Sequence, residues 1–354
     1  MGIKNLNKFI REKCPHVINK IHLSLFAYRK VAIDVSLYMH KYNAIFGDQW
    51  ISAFISLVAC LRANEIHCVF IFDGQAPVDK KVEQDRRKEE KEKLFRQAFI
   101  LQEALDDYHQ TGNISQALVE LYQKSRKNNH RLLGSTKEDS IDMKLVEERV
   151  KQKCQQAVDI TSEDFASVKE LFSILKIPWY IAATEAEKTC SQLCISGLVD
   201  AVLSEDSDIL AYGAPIFLNK IDTGNQTCDI IEHQDLLNQL ELGQEQFLEL
   251  CIMCGTDYNK NIPKVGPCTA YKYIMEHKSI DNISRNTSID VSILNHTRGK
   301  ELFMEFEDHG IDHIPYCAEP NWSELETFLQ LKKVSCNIEK IKKSFIREIV
   351  ILEE

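Results

Sequence analysis

The sequence predicts an α/β molecule: a mostly parallel twisted sheet flanked by helices. Two observations carry this. Near the start, VAIDVS (31–36) reads as a buried β-branched strand, an apolar helical pattern runs from Trp50 to Leu61, and CVFIFDG (68–74) reads as a second strand. Strand, helix, strand in this order is the pattern of parallel strands joined by crossover helices. Further on the pattern returns, with a helix from about Phe165 to Leu175 and strand IPWYIA (177–182). A helix from Glu185 to Ser196 follows, with Gly197 as its stop, and then strands VDAVLS (199–204) and PIFLNKI (215–221). The 354 residues are enough for roughly two domains' worth of core.

The segment between the two α/β halves has a different character. Asp79 to Arg96 holds eight basic and six acidic residues. Phe95, Phe99, Gln102 and Leu105 then suggest the apolar face of a helix, and the polar run from Asn128 to Asp142 suggests a mobile loop. From about Leu237 onward the chain reads as mainly helical. The expected division is an α/β region over 1–100, a helical insertion over 101–160, a second α/β region over 161–240 and a helical C-terminal region over 241–354.

Composition excludes several classes. Hydrophobic residues make up 44% and charged residues 27%, which is globular rather than disordered. The longest apolar stretch, Ile51 to Leu61, is too short for a membrane span, and MGIKNLNKFIREK has no secretory cleavage pattern and Leu6 where myristoylation needs Ser or Thr. An intracellular protein without a membrane partner is expected. Its twelve cysteines should then stay reduced. Cys251 and Cys254 form a CxxC without the second half of a zinc set, so they read as small core residues of a helix.

Chemistry concentrates in acids at strand ends. In open α/β sheets, ligands bind beyond the carboxyl ends of the strands. Asp34 ends one strand, Asp73 another, and Asp206 and Asp208 a third, while Glu185 and Glu187 directly follow IPWYIA. Asp257 follows an apolar helix and the stop at Gly255. In a parallel sheet the first six converge on one rim, where unneutralised carboxylates would repel. Two divalent cations resolve this and create a phosphodiester-hydrolysis centre. Oxygen-only donors favour Mg²⁺, with Mn²⁺ as substitute, over zinc. Structural alternatives exist singly: Thr184-x-x-Glu187 fits a capping box, and Asp206 with Asp208 fits an Asx-turn. Four strands ending in acid are a poor match to coincidence. The net charge of −10 counts against nucleic-acid binding, but without these seven acids it becomes −3, and two divalent ions offset more.

Near the C-terminal third, IPKVGPCTA (262–270) reads as helix, glycine turn, helix, able to offer backbone N–H groups to a DNA phosphate.

The segments MGIKNL, VAIDVS, VFIFDGQAP, ATEAEKTCSQL, VLSEDSDILAYGAP and LCIMCGTDYNKNIPKVGPCTA resemble, in order, those of the structure-specific 5′ nucleases of the flap endonuclease and XPG type. The resemblance implies a PIN-like nuclease fold with a helical arch over the active site and a helix-hairpin-helix DNA-binding motif at about 245–280. It implies two-metal ligation by Asp34, Asp73, Glu185, Glu187, Asp206, Asp208 and Asp257. It places Gly2 near the active site in contact with DNA, and makes Lys80 and Arg87 the active-site lysine and arginine. Seven residues turn a helix through about 700°, so the two would share a face toward the scissile phosphate. The hairpin would contact duplex DNA through Lys264, Gly266 and Lys272, with K⁺ as a further cofactor, although Cys268 and Thr269 stand where the family is usually basic.

The activity implied is Mg²⁺-dependent cleavage of 5′ flap, nicked or junction DNA in replication, repair or recombination, by a monomer. A mainly 5′→3′ exonuclease on the same fold and a non-catalytic junction scaffold are the alternatives. The insertion looks longer than in compact cellular enzymes, and FIREIVILEE carries no sliding-clamp motif. Both features resemble homologues of large DNA viruses. The expected location is the nucleus, or the host cytoplasm or nucleus for a viral chain.

Overall fold

Seven strands build the sheet: β1 (Asn19–His22), β2 (Lys30–Asp34), β3 (His67–Phe72), β4 (Trp179–Ile181), β5 (Ala201–Leu203), β6 (Ile216–Asp222) and β7 (Thr227–Glu232). Their order is β1-β7-β6-β5-β2-β3-β4 in the computed structural model, which describes residues 2–129, 141–305 and 308–345. From β6 through β5, β2 and β3 to β4 the neighbours are parallel, and β7 and β1 close one edge antiparallel. The register sets Ile33 beside Phe70 and Leu203.

Alternation along the central strands divides the core in two. Ala32, Val69, Ile71, Val202 and Phe217 face one layer of helices. It contains α1 (Leu6–Lys13), α8 (Ala186–Ile195), α9 (Asp208–Ala211), α10 (His233–Leu240), α11 (Gln244–Cys254), α12 (Pro267–His277) and α13 (Ile280–Asn286), with α14 (His296–Met304) against α11. Val31, Ile33, Phe70, Phe72 and Leu203 face the other layer. That layer contains α2 (Val35–Phe46), α3 (Trp50–Ala63), α7 (Ser162–Ile174), α15 (Trp322–Leu331) and α16 (Ile338–Phe345). Phe70 stacks on Phe172 with ring centroids 4.0 Å apart. Strands buried on both faces need continuous apolar runs, which is why these strands were visible in the sequence.

The middle segment forms α4 (Lys81–Thr111), α5 (Gln116–Asn129) and α6 (Met143–Ala157), joined by a small core of Leu105, Leu118, Val146 and Val150. The expected apolar face of α4 is corrected. Leu105 is buried, but Phe95 and Phe99 are 61% and 56% exposed, and the buried stripe runs through Ala98 instead. That stripe faces α6, the element α4 packs on most closely. The expected loop 128–142 lies mostly outside the described residues. Asn128 and Asn129 end α5, and Asp142 caps α6.

Several elements were not foreseen. Strand VAIDVS stops at Asp34 because that carboxylate caps α2, accepting from Ser36 N at 2.8 Å and Leu37 N at 3.4 Å. Strand β1 at the sheet edge and β7 beside it are of mixed polarity. The helical run Val35–Ala63 is long and apolar enough by composition to cross a membrane. Here a 3₁₀ turn at Gly47–Gln49 interrupts it, and Tyr38, Phe54 and Leu57 pack beneath the sheet.

Candidate active site

Four adjacent parallel strands, β5-β2-β3-β4, deliver their following residues to one rim. Asp34 ends β2, Asp73 follows β3, Glu185 and Glu187 follow β4, and Asp206 and Asp208 follow β5. Local structure fixes each. At Gly74 a Cβ would meet the Ala182 carbonyl oxygen at 2.0 Å, so only glycine lets the exits of β3 and β4 pass this closely. Asp73 Oδ1 then accepts from Ala186 N at 2.9 Å, capping α8 from outside. Glu185 is the N-cap residue of α8, and its side chain makes no cap bond. The expected Asx-turn forms, with Asp206 Oδ1 accepting from Asp208 N at 2.9 Å.

Gly2 lies against this group. A Cβ there would stand 2.0 Å from Asp206 Oδ1 and 2.8 Å from Asp208 Oδ1, at a φ of +86° that disfavours side chains. The chain start is therefore wedged onto the β5 acids. Asp257 arrives from beyond α11 and meets the rim through cations.

Asp34, Asp206, Asp208 and Glu185 are buried, Glu187 and Asp257 half-buried, and Asp73 exposed. Burial, then Asp73 and Asp206, push the Asp34 carboxyl well above its usual range. Burial, then Asp206 and Asp34, do the same to Glu187, and burial with Asp206 and Asp257 to Asp208. Asp208 Oδ1 and Ser207 Oγ are buried without a hydrogen-bond partner among the described residues. A buried all-oxygen anionic group with an unsatisfied carboxylate oxygen fits hard divalent cations. Among the described residues no three such side chains close on a common point as they stand. Like charges repel, and Glu185 and Asp257 are drawn to cations of the chain.

Those cations are Lys80 and Arg87. Lys80 sits in a 3₁₀ turn that leads into α4 rather than on the helix itself. Its Nζ pairs with Glu185 and, at 2.9 Å, with Asp257 Oδ2. Burial alone would lower its pKa, but Glu185, Glu187 and Asp257 outweigh that and hold it well above the lysine range. Arg87 donates through Nη2 to both Asp257 oxygens, at 2.8 and 2.7 Å, and through Nε to Glu83 at 2.9 Å. The two expected partners of a phosphate thus converge, on carboxylates. Beside them opens a cleft of about 880 Å³ bordered by Gly2, Lys4, Glu83, Asp257 and Lys260.

The hairpin residues lie elsewhere. The hairpin's first helix is α11, and Ile262–Val265 form the turn itself, which corrects the reading of 262–270 as helix, turn, helix. Gly266 is the N-cap residue of α12 with open space at its Cβ, while Lys264 and Lys272 are exposed. The Ile262 and Val265 carbonyls both accept from Asn261 Nδ2, at 3.3 and 3.1 Å.

Comparison with known proteins decides the family. Residues 1–94 match the XPG N-terminal domain and residues 176–257 the XPG I-region. A probable RAD2-like endonuclease of Invertebrate iridescent virus 6 is 32% identical, over 94% of this chain and 87% of that protein. The chain belongs to the XPG family. Flap endonuclease 1 of Meyerozyma guilliermondii is 30% identical over 80% of this chain and 70% of its own length. The catalytic core of Rad2 in complex with DNA substrate shares the fold, with a TM-score of 0.67 at 18% identity over 97% of this chain and 98% of that one. Family membership makes the protein a nuclease.

Two residues of this XPG-family site escaped the sequence reading. Tyr258 donates to Glu185 Oε2, and Tyr212 lies 2.9 Å from the Tyr258 hydroxyl and 3.5 Å from the same carboxylate oxygen. Both rings pack against Phe303, at 4.7 and 5.3 Å. Tyr258 was in view beside Asp257. Tyr212, four residues past Asp208 on an apolar run, carried only a core signal.

Proposed function

We propose that this chain is a divalent-metal-dependent, structure-specific 5′ nuclease that cuts DNA at single-strand/duplex junctions, leaving a 5′-phosphate and a 3′-hydroxyl. The observation that carries this reading is the set of acids on four neighbouring parallel strands, met by Lys80 and Arg87 on the same rim.

Asp34, Asp73, Glu185, Glu187, Asp206, Asp208 and Asp257 would hold two ions, Mg²⁺ or its substitute Mn²⁺. Bound there, such ions lower the pKa of water and neutralise charge on the phosphate. Tyr258 and Tyr212 hold Glu185 in one orientation. Lys80 and Arg87 exchange their carboxylate partners for oxygens of the scissile phosphate, and their charge is already in place when the bond breaks. Gly2 keeps the chain start thin enough to lie beside Asp206 and Asp208 as DNA approaches.

In the same reading, residues 1–100 and 161–240 form the nuclease body, 101–160 the arch, and 241–354 the C-terminal region. Its hairpin, at about 245–280, grips duplex DNA through Lys264, Gly266 and Lys272. A K⁺ ion at the hairpin would have to displace the Asn261 amide from the two turn carbonyls. We place the enzyme as a monomer in replication, repair or recombination, in the nucleus or, for a viral chain, in the host cytoplasm or nucleus.

A product map on 5′-labelled flap, nick, gap and blunt duplexes, with Mg²⁺ and with chelator, tests the reading. A single short product from the flap that needs Mg²⁺ is expected. Release of mononucleotides from all substrates alike would make it an exonuclease, and binding without cleavage a scaffold.

A further inference from the structure

On the rim opposite the carboxylates, two thiols from distant parts of the chain meet. Cys68 is the second residue of β3 and fully buried. Cys317 lies in an extended segment, residues 311–321, between α14 and α15, and is 8% exposed. Its Sγ is 3.4 Å from the Cys68 carbonyl oxygen, and both residues belong to the same buried cluster.

The surroundings are cationic and well defined. Cys317 N donates to His67 Nδ1 at 3.1 Å, so the ring carries its proton on Nε2. Arg62 Nη1 stands 3.2 Å from the same His67 nitrogen and donates to the Ile66 carbonyl at 2.9 Å. Hydrogen bonding with Cys68 and the charge of Arg62 push the Cys317 thiol down although burial opposes them, while hydrogen bonding to Cys317 and burial push Cys68 up. One ready thiolate beside one protonated thiol is the division of labour of a dithiol redox couple. Burial pushes Cys60, Cys190, Cys228 and Cys251 up, which leaves them inert.

Segment 311–321 acts as a strap. Lys30 Nζ, at the start of β2, donates to the Ile314 carbonyl at 2.6 Å and lies 4.5 Å from the centre of the Tyr316 ring. That ring meets His67 edge-on. Ala318 N donates to the Lys176 carbonyl and Asn321 N to that of Ile174, leading the chain to α15 on α7 and α16 on α3. Hydrogen bonds and the burial of Ile311, Ile314 and Cys317 hold the strap to the body.

We propose that Cys68 and Cys317 are a reversible redox pair whose disulfide, formed by a peroxide, fastens the C-terminal strap to the sheet. The Cys317 thiolate attacks one peroxide oxygen, breaking the O–O bond and releasing water after protonation, and becomes a sulfenic acid. The Cys68 sulfur then attacks the sulfenic sulfur. An S–S bond forms, the S–O bond breaks, and the oxygen leaves as a second water with the Cys68 proton. The two thiols lose two electrons and the peroxide gains them. Thiol reductants reverse the step, so the pair stays open in a reducing cell.

Treating the full-length protein with hydrogen peroxide, alkylating under denaturing conditions and digesting without reduction tests this by mass spectrometry. A peptide pair joining Cys68 to Cys317, lighter by two hydrogens and lost on treatment with dithiothreitol, is expected in most chains. Cys317→Ser and Cys68→Ser should each abolish it. Cys317 found as a sulfinic acid with Cys68 alkylated, a link between other cysteines, or two free thiols after treatment would each overturn the proposal. The wild-type measurement decides even if a serine variant folds poorly.

Discussion

Asp208 shows how one residue can serve chemistry against its own fold. Burial and the neighbouring Asp206 and Asp257 act against its charge, and Oδ1 has no hydrogen-bond partner among the described residues. Asp208→Asn keeps the shape and removes the charge. We expect it to abolish Mg²⁺-dependent cleavage, to leave flap binding equal or slightly tighter, and to raise the stability of the ion-free protein by about 0.5–2 kcal/mol. Turnover above a tenth of wild type would sink its assignment as a ligand, and a lowered melting temperature without metal would sink the repulsion argument. Tyr258→Phe removes one hydroxyl from Glu185 while keeping the ring on Phe303. It should weaken Mn²⁺ binding in a spin-resonance titration more than it weakens DNA binding. A purely structural tyrosine would leave the Mn²⁺ titration unchanged. At this scale the acids could be read because strand ends and carboxylates are local features. The tyrosines could not, because their role depends on the end of α9 and the turn after α11 meeting Glu185 at the start of α8, a contact no local pattern encodes.

At the scale of elements, the start of α4 is where charge is spent. Lys80 and Arg87 turn inward, while Lys88, one position on, is exposed. At the base of the same helix, Arg298 of α14 grips Asp79 through Nε at 3.3 Å and Nη2 at 3.1 Å. If the pair acts on the reacting phosphate, Lys80→Ala and Arg87→Ala should lower kcat and kcat/KM together with little change in affinity. Loss of a preorganised charge of this kind costs about 2.7–4 kcal/mol, or roughly 10²–10³ in rate. Single-turnover rates decide: Lys88→Ala should be nearly silent, and three small, similar effects would remove the helix from the active site. The sequence showed that α4 is charged and helical, but not which face is buried. A run with eight basic and six acidic residues has no apolar period to read, and Phe95 and Phe99 misled because they are apolar and yet exposed. The α2 helix was missed because Asp34 does two jobs, ending a strand and capping a helix, so strand and helix share one apolar run.

Across the whole molecule, topology does what no single motif does. The order β5-β2-β3-β4 makes neighbours of strands drawn from both halves of the chain, and this alone collects six acids on one rim. Parallel order could be inferred from buried apolar strands joined by helices. The antiparallel edge of β7 and β1 could not, since edge strands tolerate polar residues and blur the signal. Gathered carboxylates also make stability depend on divalent ions. At an ion concentration 100 times the dissociation constant the folded state should gain about 2.7 kcal/mol. A rise in melting temperature with Ca²⁺ or Mg²⁺ that shrinks in Asp208→Asn checks this. The same clustering bears on how an acidic chain binds DNA. Seven of the acids behind the net charge of −10 belong to the rim, while Lys264 and Lys272 are exposed on the hairpin. Each phosphate neutralised releases condensed counterions, so log K should fall with log[salt] at about −0.9 per contact on duplex DNA. With ~3–4 contacts, affinity for a flap substrate should drop by roughly 40- to 150-fold between about 50 and 200 mM salt. Anisotropy titrations of Asp208→Asn, which binds without cutting, give the slope directly. Replacing Lys264 and Lys272 together by Ala should make it shallower by about two contacts. A flat response would contradict a DNA-binding role, and a slope the double variant leaves unchanged would place the duplex contacts away from the hairpin.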